Sequence, residues 1–214
     1  MGNSGMVSYT QLSPNHSGGR KMKIDRISPH CFVGQCTIEN MGNWFSKSST
    51  KASATYGIDK DGKVGLFVDE NNRSWCSSSN SNDQRAVTIE CACDTVHPYK
   101  MNSIVYETLI LLCTDICKRN GKNRLLWIPD KNTALKYSPK ENEMVITVHR
   151  WFARKECPGE WLIEKLPNLV QYVNSALNPQ KVYRVQVGSF LSYANAKALL
   201  DKLKESGFYG YITE

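Results

Sequence analysis

The sequence lacks any long hydrophobic run. Its longest wholly apolar stretch covers about five residues, from Leu109 to Cys113, whereas a membrane-spanning helix needs roughly 18 or more. With a mean hydropathy of −0.44, the chain is expected to be soluble, with no stable membrane association. No secretory leader is expected either, because MGNSGMVSYTQLSPNHSGG has neither an early basic cluster nor an apolar core. Met6 stands where the myristoylation pattern requires Ser or Thr, which excludes that anchor. Histidine is scarce, with only four in 214 residues, so imidazole chemistry is confined to a few positions.

Cysteine is not scarce. Eight cysteines without a leader imply synthesis in a reducing cytoplasm, where thiols stay free or bind metal. The formal charge of +7 favours an anionic partner such as nucleic acid, a membrane surface or an acidic wall polymer, and does not choose among them. No nucleic-acid motif or basic stripe with interleaved aromatics is present, so no nucleic-acid partner is expected. At 41% hydrophobic residues the chain can bury a real core, as one medium domain or a domain with a small module.

Residues 1 to about 22, rich in Ser, Asn and Gly, read as coil wrapping the surface. A strand is expected over 24–33, with Pro29 marking an edge, a bulge or a strand end. A helix follows over 37–45, then a hairpin of 54–58 and 64–68 around Asp59-Lys60-Asp61-Gly62. Residues 71–85 form a long polar loop carrying one large aromatic, Trp75, and such loops are often functional.

The segment 86–93 alternates: Val87, Ile89, Cys91 and Cys93 point one way, Thr88, Glu90 and Ala92 the other. Leu109, Leu112, Cys113, Ile116 and Cys117 recur at helical spacing within 103–120, and Gly121 follows as a stop. Strands near 124–127 and 144–148 and a helix over 167–177, with Pro167 in its tolerated first turn, complete the domain. Alternating strands and helices indicate an α/β fold with a mixed sheet flanked by helices. The expected organisation is a domain over 1–177, a linker over 178–181 and a small β-α-β half-module over 182–214, with strands over 182–187 and 209–212 around a helix over 194–205.

Two histidines stand at strand ends, His30 and His149. After His149 comes HRWFARKECPG, which places Lys155 and Cys157 in a short loop. Imidazole and thiolate suit zinc, and a catalytic zinc typically keeps three protein ligands and one open position. His30, His149 and Cys157 would supply that set, although their separation fits no zinc-finger pattern. The alternatives are ordinary: a strand-end histidine is usually hydrogen-bonded or exposed, a lone cysteine is usually a small buried hydrophobe, and Lys155 can be a solvated loop charge. Glu90 is the odd residue of its strand, because a carboxylate beside apolar neighbours needs a polar cleft, a partner or water.

His30 in SPHCFVGQ, Tyr56 in ATYGID, Glu90 in NDQRAVTIECA and the run HRWFARKECPG together resemble the type-2 N-acetylmuramoyl-L-alanine amidases. These zinc enzymes, related to peptidoglycan-recognition proteins, occur among phage endolysins and bacterial autolysins. The resemblance covers about residues 5–175 and is most specific in His-x5-Lys-x-Cys-Pro-Gly.

It implies that His30, His149 and Cys157 hold zinc, and that Glu90 orients or deprotonates the attacking water. Lys155 would polarise the scissile carbonyl or stabilise the oxyanion, and Tyr56 would hold the water or the developing tetrahedral oxygen. The bond cut would join the lactyl group of N-acetylmuramic acid to L-alanine in bacterial peptidoglycan. Asn82, Asp83 and Arg85 keep the family's order, but Gln84 stands where His is expected. The alternative is a recognition protein of the same fold that binds peptidoglycan without cutting it.

Trp75 is either a face of the substrate groove or a half-buried loop anchor. His97 and His16 read as exposed. Cys113 and Cys117, and Cys91 and Cys93, read as core, while Cys31 and Cys36 flank a turn with nothing to mark them as catalytic. Residues 182–213 resemble the first half of a SPOR module, a family whose intact members bind glycan strands stripped of stem peptides. A single β-α-β segment with an open strand edge would dock on the amidase or pair with a second copy, giving a homodimer. The protein would accumulate in the cytoplasm until release and act at the cell wall.

Overall fold

A proline inside a central strand organises this sheet. The computed structural model describes residues 2–179 and 185–213. Strand β3 (Arg26–Val33) pairs in parallel with β7 (Ala86–Cys93) along its whole length, from Arg26 against Ala86 to Val33 against Cys93. On its other side β3 meets β9 (Glu143–Ile146) only at Arg26 and Ile27, and the last ladder bond runs from the Thr147 N–H to the Ile27 carbonyl. Pro29 has no N–H to continue that ladder. The sequence expectation of a strand end is therefore met on one side only, and beyond Ile27 the two strands part.

Among the described residues seven strands make the main sheet, in the order β1 (Val7–Thr10), β5 (Val64–Leu66), β4 (Tyr56–Ile58), β7, β3, β9, β8 (Arg124–Leu126). All neighbours are parallel except β4 and β5, whose tight turn makes them antiparallel. The N-terminal stretch expected as coil thus contributes β1, an edge strand. It also supplies β2 (His16–Gly19), which pairs with β6 (Asn72–Ser74) in a separate two-stranded ribbon. The polar stretch 71–85 likewise contains β6 and a one-turn helix α2 (Asn80–Asp83).

The two faces of the sheet differ. Tyr56, Ile89 and Cys91 share one face, because Tyr56 registers with Ile89 and Ile58 with Cys91. Helix α3 (Ser103–Arg119) covers this face with Val105, Leu109, Leu112, Cys113, Ile116 and Cys117, and α5 (Glu160–Leu177) packs beside it through Leu162, Leu166, Leu169 and Val173. Asn102 caps α3, its side-chain oxygen accepting from the Val105 N–H at 2.9 Å. Helix α5 begins well before the expected 167–177. Pro167 lies in its interior on an exposed position, where its missing N–H leaves a carbonyl that water can reach. Burial of four apolar side chains overrides the local cost.

The opposite face, to which Gly57 and Glu90 point, is covered by α1 (Ile38–Phe45) only at its β4–β5 end. Gly57 must be glycine for this contact, because a Cβ there would stand 2.8 Å from Met41 Sδ and 2.5 Å from the Phe67 ring. Over β7 and β3 the face carries polar groups instead. Helix α4 (Lys131–Lys136), which the sequence reading did not anticipate, lies in the β8–β9 connection.

Contacts divide the chain into two units, Met1–Pro179 and Gln180–Glu214. In the second, helix α6 (Tyr193–Glu205) matches the expected 194–205. The strand expected over 182–187 falls partly outside the described residues, and neither 185–187 nor 209–212 takes up strand pairing. Among the described residues the β-α-β unit is therefore a helix with two flanks that carry no strand pairing. Gly188 and Gly210 lie against Leu199 and Leu200, so both flanks touch the helix rather than form a ladder.

Candidate metal centre and active site

In a parallel pair, registered residues place their side chains on the same face. His30 registers with Glu90, which brings an imidazole and a carboxyl together on the open face, with His30 Nδ1 3.9 Å from Glu90 Oε1. The parting of β3 from β9 supplies the third element. The Cys31 N–H, which would otherwise continue the ladder, instead donates to Cys157 Sγ at 3.4 Å, and the same sulfur lies 3.3 Å from His30 Nδ1. His149 follows β9 in a short 3-10 turn (His149–Trp151), its ring centroid 5.0 Å from that of His30. Gly159, at φ +88, ends the Cys-Pro-Gly turn, and a Cβ there would meet the Pro98 carbonyl at 2.8 Å.

His30, His149 and Cys157 each offer a ligand atom within 4.8 Å of the others. Zn–N and Zn–S bonds of about 2.0 and 2.3 Å in tetrahedral geometry separate such donors by about 3.5 Å, near the 3.3 Å between His30 Nδ1 and Cys157 Sγ. Burial, with the neighbouring His149 adding, holds the His30 imidazolium down to about 3, so the ring is neutral and its lone pair free. His30 is fully buried, and among the described residues neither its Nε2 nor Glu90 Oε2 has a hydrogen-bond partner. Two orphaned polar atoms in one cluster are unusual in a native interior unless an ion, water or ligand belongs there. The residues present fit a divalent metal.

Glu90 sits at the rim, its side chain 15% exposed. Burial, with Cys31 adding, pushes its carboxyl up to about 8, within the range useful to a general acid–base at neutral pH. Lys155 lies in an exposed loop. Its charge reaches His149, whose pKa is lowered by burial first and by Lys155 second.

Tyr56 is not brought to this cluster. It lies on the opposite face from Glu90, fully buried; its hydroxyl donates to Glu70 Oε1 at 2.8 Å and accepts from the Ser4 N–H at 2.8 Å. Glu70 is in turn held by Arg119 through bonds of 2.6 and 2.8 Å. The expected role for Tyr56 beside the reacting water is corrected: strand register aims it into a buried ion-pair network.

Two residues at the cluster were not anticipated. Cys76 Sγ lies 3.6 Å from Glu90 Oε1, and Ser78 Oγ lies 3.1 Å from His149 Nε2. Buried Asp83 places them, accepting from the Cys76 N–H at 3.1 Å and the Ser77 N–H at 3.2 Å. Asn82 braces the same loop, bonding Ser28 on β3 at 3.0 Å, Ser77 at 3.1 Å and Thr147 at 2.9 Å. Trp75 is half-buried, its indole N–H donating to Ser17 Oγ at 2.7 Å, next in sequence to Cys76. His97 is exposed as expected, whereas His16 is half-buried in β2.

Fold and site together define an α/β protein with a cluster of candidate metal ligands on one face of a mostly parallel sheet. Residues 15–160 match the N-acetylmuramoyl-L-alanine amidase family, and the chain belongs to it, which makes it a peptidoglycan amidase. Residues 178–214 match the SPOR domain. Among solved structures the fold is similar to a mutant endolysin from Bacillus subtilis, at 15% identity and TM-score 0.55, covering 78% of this chain and 99% of that one. It is also similar to a selenomethionine derivative of AmpD, at 17% identity and TM-score 0.56, covering 78% and 96%. The Staphylococcus aureus hydrolase AmiA in complex with its ligand matches at 11% identity and TM-score 0.55, covering 79% and 82%. No curated protein sequence matches the chain. Among the described residues no helix is long and apolar enough to cross a membrane.

Proposed function

We propose that the chain is a zinc-dependent N-acetylmuramoyl-L-alanine amidase of the endolysin or autolysin kind, cutting the amide between the lactyl group of N-acetylmuramic acid and L-alanine. The observation that carries this reading is the convergence of His30, His149 and Cys157 beside Glu90 at the parting of β3 and β9. Those three residues would hold zinc, which when bound supplies Lewis acidity and a nucleophile available at neutral pH. Glu90 takes the proton from the attacking water and returns it to the leaving amine of L-alanine, a shuttle suited to a carboxyl whose proton is held near neutrality. Lys155 offers the cation that meets negative charge developing on the scissile oxygen. Ser78 fixes the His149 ring through its hydroxyl. Trp75 lines the groove with its aromatic face, its indole N–H already anchored to Ser17.

The SPOR match supports contact with wall glycan, so the protein acts at the bacterial wall after leaving the cytoplasm. Self-association through 182–214 belongs to the same reading, and a strict monomer in sedimentation would remove it.

The decisive experiment is product analysis on purified peptidoglycan with metal-stripped and zinc-reloaded protein. New N-terminal L-alanine and peptide-free glycan, appearing only with zinc, are expected. Co-sedimentation with the wall and no new amine would instead indicate a recognition protein that does not cut.

A further inference from the structure

The cleft holds more metal donors than one ion of this kind uses. Beside the first triad, His30, Cys76 and Glu90 also present ligand atoms within 4.8 Å of one another. Glu90 Oε1 is flanked by Cys76 Sγ at 3.6 Å and His30 Nδ1 at 3.9 Å, close to the donor spacing of about 3.5 Å around a tetrahedral zinc-like ion. The arrangement is built. Asp83 receives the N–H groups of both Cys76 and Ser77, and Asn82 ties Ser77 to Ser28, which fixes the loop that aims the thiol at Glu90. Glu90 Oε2, buried and without a partner among the described residues, provides a further oxygen at the same place.

We propose that His30, Cys76 and Glu90 form a second, alternative metal position that accepts a thiophilic divalent cation and competes with the first for the His30 imidazole. It rests on the amidase reading in one respect: His30 is common to both positions. His30 turns the same Nδ1 towards Cys157 and towards Glu90, and one lone pair serves one ion. The two positions therefore fill in turn. Two imidazoles and a thiolate hold zinc at the first position, whereas the second replaces one imidazole with a carboxylate and suits zinc or cadmium in excess. An ion there occupies the carboxyl that moves protons, so the chain is inactive while it stays.

The test is cadmium binding to the full-length, metal-stripped chain carrying both His149→Ala and Cys157→Ala. These changes disable the first position and keep His30, Cys76 and Glu90. One Cd²⁺ per chain with thiolate-to-cadmium ultraviolet absorption is expected, and both are lost when Cys76→Ala is added. No absorption in the double variant overturns the proposal, as does absorption that survives removal of Cys76. If the double variant loses cooperative thermal unfolding, Cys157→Ala alone decides the matter by the same two criteria, because His30 and His149 contribute no sulfur. Failure of the amidase reading looks different: the unaltered zinc-loaded chain would then release no L-alanine amino groups, whatever Cys76 binds.

Discussion

Tyr56→Phe separates the two roles this residue has been assigned. The substitution removes one oxygen and keeps the ring, so packing on the buried face is preserved. Two bonds disappear: the donor to Glu70 Oε1 and the acceptor for the Ser4 N–H, each 2.8 Å long. Glu70 is only 1% exposed, so water cannot replace the lost donor, although Arg119 still holds both carboxylate oxygens. Leaving buried partners unsatisfied costs about 1–3 kcal/mol. Taking about 2 kcal/mol, and about 2–4 °C per kcal/mol for a domain of this size, Tm should fall by about 4–8 °C.

Turnover should not follow. Strand register puts Tyr56 beside Ile89 and on the far side of the sheet from Glu90, so kcat/KM on peptidoglycan at 25 °C should stay within about twofold of the unaltered chain. The paired assay is thermal unfolding and amine release on the same preparation. A hundredfold or greater loss of kcat with Tm unchanged would refute the reasoning, because it would require the hydroxyl to reach the reacting centre.

Glu90→Gln should retain the metal and the fold while lowering kcat by about 10²–10⁴; a near-wild-type rate, measured with zinc content checked by elemental analysis, removes Glu90 from proton transfer. Cys157→Ser should lower zinc retention and lytic activity together, and undiminished lysis by protein with no bound zinc would sink the ligand assignment. The Tyr137 hydroxyl and the Lys140 N–H hold the Glu143 carboxyl below its usual range. Its contribution to stability is therefore present above the unfolded pKa of about 4.3 and lost as pH falls through the lower folded value. Glu143→Gln should flatten that acid limb of a Tm-against-pH curve, and an unchanged limb would count against it. Arg119→Met leaves the buried Glu70 carboxylate with Tyr56 as its remaining donor among the described residues, and a loss of about 3 kcal/mol is expected in urea unfolding; a loss under 1 kcal/mol would show that the network is not held by the ion pair.

Much of the site could be read from the sequence because it rests on short-range rules. Alternation along 86–93 put Glu90 opposite Val87, Ile89 and Cys91, and the structure places those three in the buried face. The Pro29 signal was correct about an ending but could not say on which side of the strand it falls. Tyr56 was misassigned because its motif suggested proximity, whereas the face a side chain takes depends on which strand its own strand pairs with.

Cys76 could not be found by spacing. Its approach to Glu90 depends on Asp83, seven residues later, gathering the intervening backbone N–H groups. Strands β1 and β2 are four residues each with no continuous apolar pattern, so only their partners β5 and β6 define them. In α5, Pro167 was given a first-turn role by propensity, yet Leu162 and Leu166 extend the packed face upstream of it. Tertiary burial decided that boundary.

The departures from local rules gather in one place, and this is itself informative. A proline occupies a central strand, a histidine is fully buried with an unpartnered nitrogen, and a carboxyl interrupts an apolar strand, all within reach of one another. Each would destabilise an ordinary sheet. Here the opposite face offsets them, with a dry layer of Ile89, Cys91, Leu109, Leu112 and Ile116 and the Tyr56–Glu70–Arg119 network behind it. Pro29 does more than survive there. By ending the ladder to β9 it frees the Cys31 N–H, and that N–H donates to the Cys157 sulfur that a continuous sheet would have excluded. The candidate ligand cluster is in this sense a consequence of one missing hydrogen-bond donor, and the residues that look least suited to a strand are the ones that assemble it.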